Sequence, residues 1–227
     1  MVEITTLSEL TIDGKLALHR TASSKELFDY STDELKAWFH GQRALSDAIM
    51  VGANTVRVDD PLLTVRYAAG ESPWRIVPSS DALIPLESAL LNDGLPTLVA
   101  TSRRATPEAK AALAAKPGVE VVTCGEDEVD LPSLMAILDV RGVKSLIVEG
   151  GSTLLHSMFG QDLVTKIIIK HIPIISGDPD APTYLTLAPR PGGPLGYGRG
   201  AVPRVCPAHS VSVAPGSPTD EAANNRG

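Results

Sequence analysis

Cysteine is scarce: the 227-residue chain has two, Cys124 and Cys206. They form no CxxC pair and no metal-ligand spacing, so neither a disulfide framework nor a zinc site is expected. Thiols kept reduced in the cytoplasm suit such a chain better than a single bridge. The five histidines, His19, His40, His156, His171 and His209, also lack ligand spacing and read as packed or surface residues. With a formal net charge of -7, the chain lacks the positive excess of a broad nucleic-acid footprint. A local basic site for one phosphate remains compatible with that balance. No apolar run approaches the ~20 residues needed to cross a bilayer. The best runs, 144–148 and 166–175, have strand length. Residues 1–15 show no basic region followed by an apolar one, so they do not read as a signal peptide. The deaminase pattern H-x-E…P-C-x-x-C is missing, as are the P-loop, GxGxxG and the G-x-S-x-G elbow.

What is present suits one α/β domain. Hydrophobic residues make up 43% of the chain, enough to bury a core. Continuous apolar runs at 47–51, 97–100, 119–122, 145–148 and 166–172, and a shorter one at 75–77, fit strands covered on both faces. Helical patterns lie between them. Residues 31–45 open on the capping box formed by Ser31 and Glu34, and Leu35, Trp38, Phe39 and Leu45 share a face. Residues 106–115 carry a first-turn proline, Pro107, and 130–140 carry Pro132 near their start. A fourth helix is expected directly after Gly151. Residues 1–187 make the domain. The tail, 188–227, is rich in Pro, Gly, Ser and Ala and should be largely irregular, with one short strand conceivable at 208–214.

Four segments at strand ends or turns carry candidate chemistry. In V-E-G-G-S-T, Glu149 is followed by Gly150 and Gly151, then Ser152 and Thr153. Two glycines allow close backbone approach to a ligand, and the N–H groups of the following helix start attract phosphate. The plainer alternative is a strand-to-helix turn with Ser152 as N-cap. In G-A-N-T-V, after the 47–51 strand, Thr55 and its neighbours form either a ligand-docking turn or an ordinary helix start. In V-D-D-P-L-L-T-V-R, Asp59 and Asp60 precede a proline and Arg66 follows, a set that can orient hydroxyls and bind phosphate or can be a simple Asp-Pro turn. In T-I-D-G-K-L-A, Lys15 follows a D-G turn and either closes a hairpin or bulge or faces a substrate.

The order of L-T-I-D-G-K-L-A, R-A-L-S-D-A-I-M-V-G-A-N-T-V-R-V-D-D-P-L-L-T-V-R and L-I-V-E-G-G-S-T-L resembles the reductase domain of riboflavin biosynthesis, over residues 5–185. The resemblance implies a dihydrofolate-reductase-like α/β fold, a three-layer sandwich around a mostly parallel sheet. It implies NADPH as cofactor, a pyrimidine ribosyl phosphate as substrate and a homodimer. Cofactor contacts carried over from it are Thr55, Asp59, Ser80 near the adenosine end, Gly150, and Gly151, Ser152, Thr153 and Leu154 within the 151–157 phosphate loop. Substrate contacts carried over are Arg43, Leu63, Arg66 and Glu149, with Ser24 by weaker alignment. Arg43 and Arg66 are expected to clamp the substrate phosphate, Glu149 to accept from its hydroxyls or pyrimidine, and Lys15, Asp59 and Glu149 to be the catalytic set. Ser79, Ser80, Ser102, Arg103 and Arg104 are candidates for the cofactor's 2′-phosphate.

The chain departs from the pattern at its end. Beyond Tyr184 no closing hairpin is recognisable, so the sheet is expected to be truncated or altered there. Lys170 and His171 are more polar than their place in the 166–172 run suggests, and they bear on the substrate pocket or the dimer face. Two other functions stay open at this level: a pterin or folate reductase of the same fold, and a nucleotide-binding regulator without turnover.

Overall fold

The computed structural model describes residues 1–184 together with Arg204–Val205. Seven strands form the body of one sheet: β1 (Glu3–Thr11), β2 (Ala48–Val51), β3 (Trp74–Pro78), β4 (Thr97–Thr101), β5 (Val119–Thr123), β6 (Ser145–Gly150) and β7 (Lys166–Ile172). A two-residue strand, β8 (Arg204–Val205), adds to the edge. The helices are α1 (Lys25–Phe28), α2 (Asp33–Ala44), α3 (Ala53–Asp59), α4 (Ala89–Asn92), α5 (Pro107–Ala114), α6 (Leu131–Val140) and α7 (Ser152–Gly160). The order across the sheet is β5-β4-β3-β2-β6-β1-β7-β8. Among the described residues every pairing of these strands is parallel, in keeping with the expected mostly parallel sheet.

Parallel strands need crossovers, and those crossovers cover both faces with helices. The strand residues divide with period two. In β2, Ala48 and Met50 join one core with Leu146, Leu134 of α6 and Leu155 of α7. Ile49 and Val51 join the other with Val77, Phe39 of α2, Val56 of α3 and Leu113 of α5. This is the expected three-layer sandwich.

The apolar runs read as strands are strands. β1 escaped that reading, because its Glu, Thr and Ser residues interrupt the apolar pattern although Thr6, Ser8 and Thr11 are buried. The expected cap of α2 is shifted by one residue. Thr32, not Ser31, is the N-cap and accepts from the Leu35 N–H, because the Ser31 hydroxyl is drawn inward to Lys170 and Glu9. For α5 the reading holds: Thr106 caps the Ala109 N–H and Pro107 begins the helix. At α7 the N-cap is Gly151 rather than Ser152.

The irregular tail at 188–227 and the strand at 208–214 lie outside the described residues, apart from β8. The D-G turn takes its structural form: Gly14 has φ 77°, its N–H donates to the Thr11 carbonyl, and Lys15 bridges antiparallel to Thr183. A hydrogen bond from Thr11 and the Gly177 and Ser176 amides hold the Asp13 carboxyl at a pKa of about 2. Among the described residues no helix is long and apolar enough to cross a membrane.

Candidate functional site

In the sheet order the chain leaves β2 toward β3 on one side, and leaves β6 toward β7 on the other. Between two such strands the loops part and leave a crevice at the carboxyl ends. The two turns there touch. The Gly52 N–H donates to the Gly150 carbonyl at 3.0 Å. Gly150 has φ 114°, a backbone region in which a side chain is strained. At Gly151, an added Cβ would stand 3.1 Å from the Thr55 Oγ1. Gly151 supplies no side chain to cap α7, so first-turn N–H groups of that helix lack a side-chain partner.

Beside these turns lies a cavity of about 330 Å³, within the range of small-molecule sites. Thr55 and Asp59 of α3 and Glu149 of β6 line it, as do Ser24, Arg43, Leu63 and Arg66. Every substrate contact expected from the sequence therefore faces one space. Gly150, Gly151, Ser152, Thr153 and Leu154 form the adjoining turn and helix start.

The geometry redistributes roles inside the set. Arg43 is not an open phosphate clamp: its Nε and Nη2 donate to Glu149 at 2.6 and 2.7 Å, and Nη1 donates to the Thr64 carbonyl at 2.9 Å. The fork that would grip a phosphate is filled by a carboxylate. Burial works against the Arg43 charge, but Glu149 outweighs it and holds the guanidinium pKa above its usual value. Arg66 is exposed and makes one side-chain hydrogen bond, to the Thr64 hydroxyl at 3.1 Å. Asp59 accepts from both the Ser24 N–H and the Ser24 hydroxyl, at 3.2 and 2.7 Å, tying the segment before α1 to α3. Leu63 sits in a left-handed conformation, φ 55°. The neighbouring Leu62 carbonyl is held by the buried Arg75, which also pairs with Asp93.

Two cavity-lining groups, His40 and Glu9, were not anticipated, whereas Lys170 was expected to bear on the pocket or the dimer face. His40, of α2, is 1% exposed, and its Nδ1 accepts from the Arg66 N–H. Burial, reinforced by Arg43 and Arg66, lowers its pKa to about 4. Glu9 of β1 lies directly across the sheet from Lys170 of β7, and the two side chains form an ion pair. Lys170 is buried over the rings of Phe28 and Phe39. Burial raises the Glu9 pKa above 4.5, against the opposing pull of Lys170. The signal for this pair was the charge at Lys170 inside the apolar run I-I-I-K-H-I.

Other expected residues lie apart from the cavity. The Lys15 ammonium donates to the Pro179 and Ala181 carbonyls, each at 3.2 Å, and does not line the cavity. Ser80 Oγ accepts from the Val129 N–H, and Ser102 Oγ donates to the Ser80 carbonyl, so both hydroxyls are engaged in joining loops. Ser79 donates to Asp81. Arg103 is exposed and 3.3 Å from Glu126, and Arg104 is 3.9 Å from Asp81. These residues follow β3 and β4, on the same edge of the sheet as the cavity.

A dinucleotide fits the set. The glycine turn admits close backbone approach, the α7 start offers amide donors for a pyrophosphate, and Arg103 and Arg104 lie along the same edge.

Comparison with known proteins gives the family and the fold. Residues 3–192 match the family model described as the RibD C-terminal domain. The chain is 43% identical over 180 residues to the 2,5-diamino-6-ribosylamino-4(3H)-pyrimidinone 5′-phosphate reductase of Aquifex aeolicus, covering 79% of this chain and 80% of that one. It is 40% identical over 183 residues to the reductase of the same name from Archaeoglobus fulgidus, covering 76% and 81%. Among solved structures, a pyrimidine reductase-like protein from Corynebacterium diphtheriae superposes with a TM-score of 0.68 at 20% identity, over 82% of this chain and 80% of the other. A diaminohydroxyphosphoribosylaminopyrimidine deaminase/5-amino-6-(5-phosphoribosylamino)uracil reductase from Thermotoga maritima gives 0.66 at 23% identity, over 85% of this chain but 50% of the other. The present chain thus spans about half of that two-activity protein, and at these identities both structures bear on the fold.

Proposed function

The chain belongs to the RibD C-terminal domain family, and from that membership we propose that it reduces 2,5-diamino-6-ribosylamino-4(3H)-pyrimidinone 5′-phosphate to the ribitylamino compound with NADPH. The observation that carries the reading is the gathering of Thr55 and Asp59 of α3, Arg66 of the loop after it and Glu149 of β6 around one cavity beside the β2 and β6 turns. When bound, the reduced nicotinamide supplies hydride to C1′ of the ribosylamine, whose C1′–O4′ bond opens as O4′ takes up a proton.

The protein's part is to hold and orient. The Gly150-Gly151 turn and the α7 start receive the cofactor pyrophosphate, with Thr55 against Gly151 beside it. Arg66, which among the described residues donates one side-chain hydrogen bond, takes the substrate's 5′-phosphate. Glu149, its charge matched by Arg43, and Asp59, pinned to Ser24, present acceptors for ribose hydroxyls. Leu63 gives the cavity an apolar wall that excludes water. Lys15, docked on the carbonyls at 179 and 181, braces the neighbouring turn. Arg103 and Arg104 serve the 2′-phosphate that distinguishes NADPH from NADH. The same family membership supports a homodimer in the cytoplasm.

The test is consumption of NADPH with three substrates in parallel: the diamino compound, its 2-oxo counterpart and a dihydropterin. Turnover of the diamino compound is expected. Tight NADPH binding with no turnover of any of the three would overturn the reading in favour of a nucleotide-binding protein.

A further inference from the structure

We propose that Glu9 sets the substrate's identity: its Oε2 accepts a hydrogen bond from the 2-amino group of a 2-aminopyrimidinone and turns away the 2-oxo analogue. The inference rests on the reaction proposed above and names the residue that reads the pyrimidine.

Glu9 lines the cavity from β1, which lies between β6 and β7 in the sheet. Its Oε1 is fixed, receiving the Lys170 ammonium and, at 3.4 Å, the Ser31 hydroxyl. Lys170 also donates to Ser31, at 2.5 Å, which closes a three-membered network. Oε2 accepts no hydrogen bond from the described residues, and it is not among the sealed, unpartnered atoms of the interior. The other largely buried cavity carboxylates differ. Glu149 has both oxygens on Arg43, and Asp59 has both on Ser24.

A buried ion pair is a poor device for stability alone, since desolvating two charges offsets most of their attraction. A carboxylate clamped through one oxygen, with the other turned to a cavity, is a fixed acceptor. The cation is not offered to the ligand in turn, because Lys170 is buried among Phe28, Phe39, Ser31 and Glu9.

The two candidate pyrimidines differ at one position in the sense that matters here. The 2-amino form presents N–H donors at C2 beside N3–H. The 2-oxo form presents a carbonyl oxygen at C2. Against Glu9 the first completes a charge-assisted hydrogen bond, and the second sets two acceptors together and leaves both unpaired. Sites built to hydrogen-bond a substrate group discriminate strongly against analogues lacking it.

The experiment measures kcat/KM for both phosphorylated substrates in the full chain, its Glu9→Gln variant and the Glu9→Met/Lys170→Met double variant. The second variant removes both charges together and keeps the interior neutral should the first fail to fold. The wild type is expected to prefer the 2-amino substrate by about 100-fold or more, and either variant to reduce that ratio by at least about tenfold. A purely structural role lowers both substrates together and leaves the ratio in place, which overturns the proposal. So does a wild type that turns over both substrates equally well. Failure of the wild type to reduce either substrate overturns the reaction itself, a result distinct from an unchanged ratio in an active enzyme.

Discussion

Arg43 and Glu149 meet edge to edge, two parallel hydrogen bonds of 2.6 and 2.7 Å joining helix α2 to the end of strand β6. Their side chains are 10% and 9% exposed, so each charge relies on the other rather than on water. Arg43→Met strands the carboxylate and is expected to cost ~3–5 kcal/mol of stability, whereas Arg43→Met/Glu149→Met recovers most of that loss. Urea unfolding of the three proteins decides it. A single variant within ~1 kcal/mol of wild type would contradict the pairing.

Among the described residues Arg66 donates one side-chain hydrogen bond, whereas the Arg43 fork is filled by Glu149. Arg66→Ala is expected to raise KM for the phosphorylated substrate by about 10- to 100-fold with a smaller change in kcat, the loss of one charge-assisted contact. The dephosphorylated substrate should be insensitive to the change. Equal effects on both would move the phosphate site elsewhere.

Gly151 faces Thr55 so closely that a methyl group would sit 3.1 Å from the hydroxyl oxygen. Its own φ of -79° is ordinary, so alanine introduces crowding rather than backbone strain. Gly151→Ala is expected to weaken NADPH binding by about tenfold or more by narrowing the space between the two turns. Fluorescence titration of the reduced nicotinamide measures it, and unchanged affinity would take the pyrophosphate out of this turn.

His40 gives a pH signature. Its folded pKa of about 4 lies below the ordinary 6.5 because burial disfavours the imidazolium. Protonation therefore favours the unfolded chain. The stability contributed by neutral His40 is present above pH 6.5 and is lost as pH falls toward 4, by up to ~3 kcal/mol. His40→Asn keeps an acceptor for the Arg66 amide but does not titrate, so its unfolding free energy should fall less steeply across that window. Parallel slopes for variant and wild type would refute the assignment.

Much of this was legible in the sequence, for physical reasons that also explain what was not. Strands sandwiched between two helical layers have no solvent face, so β2 is apolar throughout and β4 and β6 have apolar centres that are easy to see. β1 occupies the same kind of position but buries Thr6 and Ser8, and its pattern resembles no simple period. Thr55, Asp59 and Glu149 were singled out by the family resemblance rather than by position alone, and all three line the cavity. Their pairings were not legible. The 106 positions separating Arg43 from Glu149 hide a contact that only the strand order creates, and the phosphate role expected of Arg43 gave way to it. Ser31 likewise looked like a cap from its local spacing, whereas a lysine 139 residues away claims its hydroxyl.

The place of β6 has a bearing on biosynthesis. It is the sixth strand made, yet it lies between the first and the second. A nascent chain emerging from the ribosome can stack β2 through β5 outward in order, but β1 has no hydrogen-bonded neighbour until β6 and β7 arrive. Because Glu149 rides on that late strand, its pairing with Arg43 at the cavity forms only once β6 lies between β2 and β1. Of the residues lining the cavity only Glu149 lies beyond position 67, so the pocket stays incomplete until that strand is made.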